Sequence, residues 1–369
     1  MKRARAGART RWLALSGLLL FAGCAARLDL VLPGPVAPHA CADAAEVTES
    51  VFLIGDAGGL QLPDHPEAEL PVDRVLRNLR EDVIEQAGVL GVSRVAVIYL
   101  GDNVYPSGLA PVGMAGRARG ERLLRMQIIA AGPAEVVFVA GEQDWNLVGD
   151  VGWQQVRAQQ GFLSLQGEHV AMRPAGGCSG PERFDFGRHL RFLFVDPLGL
   201  ARAVDTPGSE IGVCPHETAE QALLALSAEL DRPEGRHVVL ALHPPLVSTE
   251  LAGTVWPGRS AGDVYARMLT AITRATRPRV PLLVAGGHEH NLQLHRDAVG
   301  AYYLVSGAGS ASQVEDVEPA ASALYAEAAP GYARLDAHAN GALSLSLIVV
   351  RDEKRETALQ HCLADGSPS

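Results

Sequence analysis

The sequence has 369 residues, 47% of them hydrophobic, with 39 glycines and 23 prolines, so it is neither disordered nor fibrous and can form one large domain or two ordinary ones. The formal net charge is −10. Five of the 32 basic residues precede the first apolar run, which leaves 27 basic against 42 acidic residues. This balance argues against nucleic acid as a partner, because sequence-independent binding needs a basic surface.

Residues 1–23 have the composition of a signal peptide, with basic residues followed by an apolar run too short to span a membrane. The Phe-Ala-Gly-Cys sequence that ends at Cys24 resembles the cleavage box of bacterial lipoproteins, in which the cysteine is acylated. An ordinary signal peptide is the alternative. We expect an exported protein anchored to a bacterial membrane through lipid on Cys24, facing the periplasm or the surface. The absence of Asp after Cys24 favours the outer membrane.

Four cysteines follow Cys24, and an even number of cysteines in an exported chain indicates disulfides. Four cysteines allow three pairings. We favour Cys41 with Cys362 and Cys178 with Cys214, because two lie at the ends of the folded region and two in its middle. The alternative is four unpaired buried thiols.

Residues 24–47 are rich in Ala and Pro without helical periodicity, and they predict a tether. The folded domain is predicted at 48–351, followed by a loose polar tail at 352–369. Within the domain, the β-branched runs 51–54 and 95–100 each end in Gly-Asp. This pattern is expected of buried strands that deliver a carboxylate to a sheet edge.

Strands and helices alternate along the rest of the domain, which predicts a layered α/β fold. Further strands are predicted at 136–139, 193–195, 238–242, 282–285, 302–305, 332–335 and 343–350. Helices are predicted at 72–84, 121–131, 218–230 and 261–273. Loops predicted to form a pocket are 146–161, which Trp145 precedes and which carries Trp153, then 173–181, and 249–262 with Trp256.

Five short segments each place a potential metal ligand just past an apolar run. In chain order they contain Asp56, then Asp102 and Tyr105, then Glu142, Gln143 and Asp144, then His243, then His288 and His290. Each segment alone is a weak signal, because a Gly-Asp pair or a lone histidine is common. Other histidines lack ligand spacing and are interpreted as structural, namely His65, His189, His216 and His237.

The order of these segments resembles the calcineurin-like metallophosphoesterases, and within them the purple acid phosphatases of the tartrate-resistant type. The resemblance covers about 51–311 and includes the Asn-Leu-Gln after the histidine pair and the Ser-Gly-Ala-Gly at 306–309. It implies a four-layer α/β/β/α sandwich, a small phosphorylated substrate and two metal ions. Such ions activate a hydroxide and clamp the phosphoryl oxygens for in-line attack. We expect a monomer.

The resemblance also implies ligand roles for the residues of the five segments. Asp102 would bridge the ions, Asp56, Tyr105 and His290 would hold the first, and His243 and His288 would hold the second, while Glu142 stands where the family has a ligand asparagine.

Two positions favour the purple acid phosphatase subtype. Most of the superfamily has a histidine two residues after the first aspartate, where this chain has Gly58. The purple acid phosphatases instead carry a tyrosine three residues after the bridging aspartate, as Tyr105 stands here. A phenolate favours a trivalent ion, so we expect Fe(III) with Fe, Zn or Mn beside it. The alternative for Tyr105 is an aromatic residue of a turn.

The third segment departs from the family, which carries Gly-Asn-His-Asp there. Glu142 can still bind a metal ion, but Gln143 cannot transfer a proton to the leaving oxygen. General acid catalysis contributes about 10²–10⁴ in rate, so poor turnover of esters with basic leaving groups is expected. Glu289 or Asp144 could supply a proton instead, although a surface carboxylate is the simpler interpretation of each.

The sequence therefore predicts a phosphoesterase in which Asp102 and Gln143 are the catalytic candidates. The alternative is a catalytically impaired lipoprotein that still binds metal or phosphate. A purely structural role is disfavoured, because drift would not be expected to spare the six ligands that match the family, namely Asp56, Asp102, Tyr105, His243, His288 and His290.

Overall fold

The computed structural model describes residues 38–42, 44–59, 73–146, 150–205, 208, 212–249, 270–276, 281–318 and 323–368. The predicted signal peptide with Cys24, most of the tether, His65, Trp256 and most of the helix predicted at 261–273 lie outside these residues, although 270–276 are helical.

One seven-stranded sheet carries the first half of the domain together with the C-terminal strands. Its order is β14-β13-β12-β1-β2-β3-β4. The strands are β1 (Val47–Ile54), β2 (Val95–Tyr99), β3 (Glu135–Phe138), β4 (Val170–Met172), β12 (Gly331–His338), β13 (Leu343–Arg351) and β14 (Lys354–Ala364). β1 to β4 run parallel to one another, and β12, β13 and β14 add to β1 in antiparallel fashion.

A second seven-stranded sheet is formed by the middle of the chain, in the order β11-β9-β10-β8-β7-β6-β5. The strands are β5 (Glu182–Phe186), β6 (Leu190–Phe194), β7 (His237–Ala241), β8 (Leu283–Gly286), β9 (Leu292–Arg296), β10 (Tyr302–Ser306) and β11 (Ala323–Glu327). β6, β7, β8 and β10 are parallel. Their carboxyl ends therefore meet at one edge of the sheet.

Helices complete the four-layer α/β/β/α sandwich that the sequence predicted. They are α1 (Arg74–Leu90), α2 (Arg117–Ala130), α3 (Glu142–Trp145), α4 (Asp150–Leu163), α5 (Pro197–Asp205) and α6 (Ala219–Leu230). Side-chain caps mark two helix starts: Asp73 Oδ1 accepts from Val75 N at 2.7 Å, and Thr218 Oγ1 accepts from Gln221 N at 3.1 Å.

Residues 51–54 of β1 form a continuous apolar run. Val51 and Leu53 belong to the core between the two sheets, whereas Phe52 and Ile54 belong to the core under the helices. Because successive side chains of a strand point to opposite faces, a segment that contacts an apolar core on each face has apolar residues at successive positions.

The prediction of a loose polar tail at 352–369 was wrong. The segment expected to be a loose tail forms β14, which pairs with β13 from Leu343 to Arg351. Residues 354–358 of β14 are mostly polar and none is buried, which is the composition of a tail, whereas Leu359 and 361–363 are buried. The predicted tether also ends earlier than 47, because the His39 carbonyl accepts from Cys362 N at 2.7 Å.

Both favoured disulfides are confirmed. Cys41 bonds Cys362, which ties the N-terminal segment to β14, and Cys178 bonds Cys214. The segment 146–161, predicted to be a loop, is largely α4. Trp153 on α4 packs between two arginines, with Arg157 Cζ 4.8 Å and Arg202 Cζ 4.0 Å from its ring centroid.

Within the described residues, no helix is long and apolar enough to cross a membrane.

Candidate metal centre

The predicted ligands converge at the carboxyl ends of the central strands of the two sheets. Asp56, Asp102 and Glu142 follow β1, β2 and β3, while His243 and His288 follow β7 and β8. Parallel strands present the residues after their carboxyl ends at a shared edge, where α/β folds commonly bind ligands. The alternation of apolar run and polar residue in the sequence therefore translates directly into one site.

Three of these residues have left-handed backbone conformations. The φ angles are 59° at Asp56, 55° at Asp102 and 73° at His288. Such angles are uncommon outside glycine and tend to cluster at functional sites, where the surrounding structure maintains the strain. Tight turns with these backbone angles therefore position the side chains of Asp56, Asp102 and His288. Local sequence preference alone would not favour such turns.

The first ligand group is centred on the Tyr105 hydroxyl. Its oxygen lies 3.0 Å from Asp56 Oδ1, 3.0 Å from Asp102 Oδ2 and 3.0 Å from His290 Nε2. His290 Nε2 is also 3.4 Å from Asp56 Oδ1. Ligand atoms at about 2.1 Å from one ion and at right angles to each other lie about 3 Å apart, so these spacings fit one octahedral ion.

The second ligand group is formed by Glu142 and two histidines. Glu142 Oε2 lies 2.5 Å from His243 Nε2, and Glu142 Oε1 lies 2.8 Å from His288 Nδ1. Asp102 Oδ1 is 3.4 Å from the same His243 nitrogen. Asp102 therefore faces the first group with one oxygen and the second group with the other.

Hydrogen bonding leaves one nitrogen of His243 available as a ligand. Its Nδ1 lies 2.7 Å from the carbonyl oxygen of Leu100, which can only accept, so Nδ1 carries a hydrogen and Nε2 is the nitrogen left for a proton or a metal ion. Glu142 Oε2 lies 2.5 Å from this buried Nε2. The two atoms form an ion pair when Nε2 is protonated, and they can offer two lone pairs to one cation when it is not. The carboxylate, phenol and imidazole donors suit hard and borderline metal ions.

The centre concentrates negative charge in a buried space. Burial and the charge of Glu142 raise the pKa of Asp102 to about 6. Burial would by itself raise the pKa of Glu142, but the charges of His243 and His288 hold it well below its usual range. Burial opposes protonation of His290, yet Asp56 raises its pKa to about 9. Without a metal ion, protons on the histidines balance the carboxylates.

Tyr105 responds to the same surroundings. Burial, and then the charges of Asp56 and Asp102, raise the pKa of its phenol far above the usual range. The phenol therefore keeps its proton unless a cation takes the place of that proton.

The sequence offers Asp144 as an alternative proton donor. The structure gives it a structural position instead. It is fully buried and accepts from the backbone N–H of Gly141 at 2.9 Å and from those of Asn103 and Val104 at 3.1 Å. It thereby ties the loop after β2 to the start of α3. The interpretation as a surface carboxylate was wrong.

Glu289 is also buried rather than exposed. Its carboxylate accepts from the Ser248 hydroxyl and from Gln293 Nε2, the latter at 2.7 Å. Gln293 in turn contacts His295 Nε2 through Oε1 at 2.8 Å. This polar network includes Glu289, the residue between His288 and His290.

Gln143 lies beside the Asp102 carboxylate. Its backbone N–H donates to Asp102 Oδ1 at 2.8 Å, and its half-buried side chain follows Glu142 at the start of α3. Trp145 closes the same short helix against the core, because its indole Nε1 donates to buried Asp196 Oδ2 at 2.9 Å. Sequence patterns did not reveal Asp196, which comes directly after an apolar run but has no recognisable motif.

The remaining predicted histidines lie away from the centre. His189 and His237 are buried near the amino ends of β6 and β7, where His237 Nε2 contacts the Gly341 carbonyl at 2.7 Å. His216 is half-buried in the loop that carries Cys214.

No protein-family model and no curated protein sequence matches this chain. Solved structures are similar to it. Purple acid phosphatase PPD1 from yellow lupin (Lupinus luteus) seeds has a TM-score of 0.58 and 14% identity, over 89% of this chain and 55% of that protein. GAP50, the anchor in the inner membrane complex of Plasmodium, has a TM-score of 0.54 and 17% identity, over 86% of this chain and 89% of GAP50.

This chain thus spans just over half the length of the lupin protein. At these identities the similarity establishes the fold, and the chain shares the fold of the lupin purple acid phosphatase, here with two seven-stranded sheets.

Proposed function

We propose that this protein is a phosphoesterase whose centre holds two cations. The position of Asp102 carries the proposal, because its Oδ2 is 3.0 Å from Tyr105 Oη and its Oδ1 is 3.4 Å from His243 Nε2. A carboxylate shared between two ligand groups is what a pair of ions about 3.5–4 Å apart requires. The fold shared with a purple acid phosphatase supports the same reaction class.

Seven side chains would hold the ions. Asp56, Tyr105, His290 and Asp102 would bind the first, and Asp102, Glu142, His243 and His288 the second. When bound, two such cations supply Lewis acidity toward a phosphoryl oxygen and lower the pKa of water. The phenolate of Tyr105 favours Fe(III) in the first position, with Fe, Zn or Mn in the second.

Gln143 determines which esters are cleaved well. Its amide can donate a hydrogen bond to the departing oxygen, but it has no proton to transfer. Asp144 and Glu289 are held in buried hydrogen bonds and do not replace that proton. The chain is therefore suited to activated esters, whose leaving groups depart without protonation.

Hydrolysis of an activated aryl phosphate tests the proposal. The full chain is assayed with Fe, Zn and Mn and after chelation, beside Asp102→Asn, which removes the shared carboxylate charge. We expect metal-dependent hydrolysis that Asp102→Asn abolishes. Equal rates in the two proteins would refute the proposed phosphoesterase activity.

A second candidate function is a binding protein that keeps metal ions without turnover. The residue that favours it is Gln143, which stands where a general acid is expected. GAP50, which has a similar fold, is described as an anchor. Two bound metal ions and measurable phosphate binding, without hydrolysis of any aryl phosphate, would support this candidate over the enzyme.

We also propose that the chain is exported and lipid-anchored through Cys24. Two disulfides suit an oxidising compartment, which supports export. Incorporation of labelled fatty acid into the protein, compared with Cys24→Ser, tests the anchor. Equal labelling of both proteins would contradict it.

A further inference from the structure

Asp196 is a buried carboxylate, 2% exposed, that follows β6 directly. β6 is parallel to β7, and His243 follows β7, so Asp196 lies at the same edge of the sheet as the metal centre. Among the described residues it bonds Trp145 and backbone groups, and it is none of the seven candidate ligands. The carboxylate therefore needs a role other than metal binding.

Both carboxylate oxygens of Asp196 face N–H donors. Oδ2 accepts from Trp145 Nε1 at 2.9 Å, and Oδ1 accepts from Leu198 N at 2.9 Å and Gly199 N at 3.1 Å. Neither an indole N–H nor a backbone N–H can accept a hydrogen bond. The amide of an asparagine would turn its NH2 group toward a donor on one side or the other, so a carboxylate is needed to satisfy both sides.

The two oxygens join two helices. Oδ1 caps the start of α5, which begins at Pro197, and Oδ2 holds the indole at the end of α3. The backbone of Asp196 is itself fixed, because its N–H donates to the Ser179 carbonyl at 3.0 Å, next to the Cys178–Cys214 disulfide. Asp196 thus offers α3 a fixed attachment outside the metal centre.

α3 depends on such attachments, because a helix of four residues is too short to be stable by itself. Glu142 and Gln143 are its first two residues. Asp144 ties the start of the helix to the loop after β2, and Trp145, 1% exposed, ties its end to Asp196. The places of the candidate ligand and of its neighbour are therefore set from both ends of the helix.

We propose that Asp196 is a positioning residue of the metal centre, which acts through Trp145 to place Glu142 and Gln143. The inference rests on the proposed function, because it needs a centre that binds metal ions, and it adds a residue outside the seven candidate ligands. Burial raises the pKa of Asp196 to about 6, so the side chain is a carboxylate at pH 8.

Cobalt(II) binding to the metal-free full chain at pH 8 tests the proposal, because cobalt absorbance reports binding without an activity assay. Asp196→Asn should weaken the binding of one cobalt ion by about three- to tenfold, less than the loss of about 10–100-fold typical of groups that bond a ligand directly. Trp145→Phe keeps a ring in the core and removes the N–H. It should weaken the same ion, and it is the second variant should Asp196→Asn fail to fold.

The double variant tests whether Asp196 acts through Trp145. In the Trp145→Phe background no indole N–H remains, so the amide introduced by Asp196→Asn can turn its oxygen toward the backbone N–H groups without facing a donor. Asp196→Asn should then change cobalt affinity by less than about twofold, since effects that share one contact are not additive. Additive losses in the double variant would overturn the action through Trp145.

The matched control is Asp297→Asn. Asp297 is also buried, at 6% exposed. Its Oδ1 accepts from Val299 N at 3.0 Å and Ala301 N at 2.9 Å, and its Oδ2 accepts from the Tyr303 hydroxyl at 3.0 Å. It precedes β10, which is parallel to β8, so it lies at the opposite edge of the same sheet. Asp297→Asn should leave cobalt affinity unchanged even where it lowers stability.

Unchanged cobalt affinity in Asp196→Asn, or an equal loss in Asp297→Asn, would overturn the positioning role. Hydrolysis of an aryl phosphate is measured separately. A wild-type protein that binds cobalt without turnover refutes the phosphoesterase and leaves the positioning role standing. A wild-type protein that binds no cobalt refutes the metal centre, and this inference with it.

Discussion

Gly58 lies against the backbone of Asn103, so closely that a Cβ on residue 58 would stand 2.2 Å from the carbonyl carbon of Asn103. The Gly58 N–H also donates to the Asp102 carbonyl at 3.1 Å, and the Gly58 carbonyl accepts from Tyr105 N at 3.4 Å. Gly58, where no side chain fits, thus contacts the loop that carries Tyr105. The two departures noted in the sequence, Gly58 and Tyr105, are therefore joined by a direct backbone contact.

Replacing Gly58 by alanine should therefore lower stability. Overpacking a site that cannot relax costs about 1–3 kcal/mol, and here the obstructing atoms are backbone. Gly88→Ala is the control, because Gly88 lies in α1 with no atom within 4 Å of its added Cβ, and it should be neutral or stabilising. Urea unfolding of both variants measures the difference. Equal free energies of unfolding would show that residue 58 tolerates a side chain.

The iron-loaded protein should absorb in the visible through charge transfer from the Tyr105 phenolate. Tyr105→Phe should remove that band, since its ring lacks the oxygen that lies 3.0 Å from Asp56 and Asp102. Tyr325→Phe should keep the band, because the Tyr325 hydroxyl donates to Glu327, and both residues lie on the edge strand β11. Absorption spectra with parallel iron analysis check this prediction, and a colourless protein with full iron would contradict the tyrosinate centre.

Gln143→His should raise turnover of alkyl phosphates more than that of activated aryl phosphates. The new imidazole could protonate the departing oxygen, and general acid catalysis contributes about 10²–10⁴ in rate. Gln143 is half-buried, and the bond from its backbone N–H to Asp102 Oδ1 does not depend on its side chain. The ratio of the two rates is the measurement. An unchanged ratio would mean that protonation of the leaving group does not limit turnover.

The sequence predicted most of the fold because strands buried on both faces have an unmistakable composition. The segment 51–54 of β1, all of β2 and the segment 238–241 of β7 are continuous apolar runs, and each precedes a predicted ligand. The sequence does not reveal β14, because its first five residues are mostly polar and none of them is buried, so that half resembles a polar tail.

The candidate site was predicted from residue order, whereas the contacts that hold it were not. Asp144 and Asp196 have roles that depend on which backbone N–H groups and which indole reach them across the fold. Such long-range contacts leave no pattern in one sequence.

Breaking the Cys41–Cys362 disulfide should destabilise the domain. The bond ties the segment before β1 to β14 across 321 residues, and loss of a native disulfide commonly costs about 2–5 kcal/mol. Cys41→Ser with Cys362→Ser, unfolded in urea beside the wild-type protein, measures the cost. On reduction the wild-type protein should shift by more than the double variant, because the wild-type protein loses both disulfides and the double variant loses only Cys178–Cys214. Equal shifts on reduction would show that Cys41–Cys362 does not stabilise the domain.

Acid should destabilise the domain through His361. This side chain is fully buried, with Nδ1 3.4 Å from the His39 backbone N–H and Nε2 3.3 Å from the Tyr302 hydroxyl. Burial, and then the charges of His39 and Arg296, lower its pKa to about 4. An unfolded histidine titrates near pH 6.5.

Between pH 6.5 and 4 the unfolded chain therefore binds a proton at His361 that the folded chain does not. The free energy of unfolding must then fall as the pH is lowered through this window, and the contribution of His361 is constant below about pH 4. His361→Gln removes the proton site, so its melting temperature should fall less between pH 7 and pH 4.5 than that of the wild-type protein. His169→Gln, at an exposed position, should follow the wild-type curve. If His361→Gln also followed it, the acid sensitivity would have to come from other buried groups, of which His295, with a pKa lowered by burial to about 4, is the next to test.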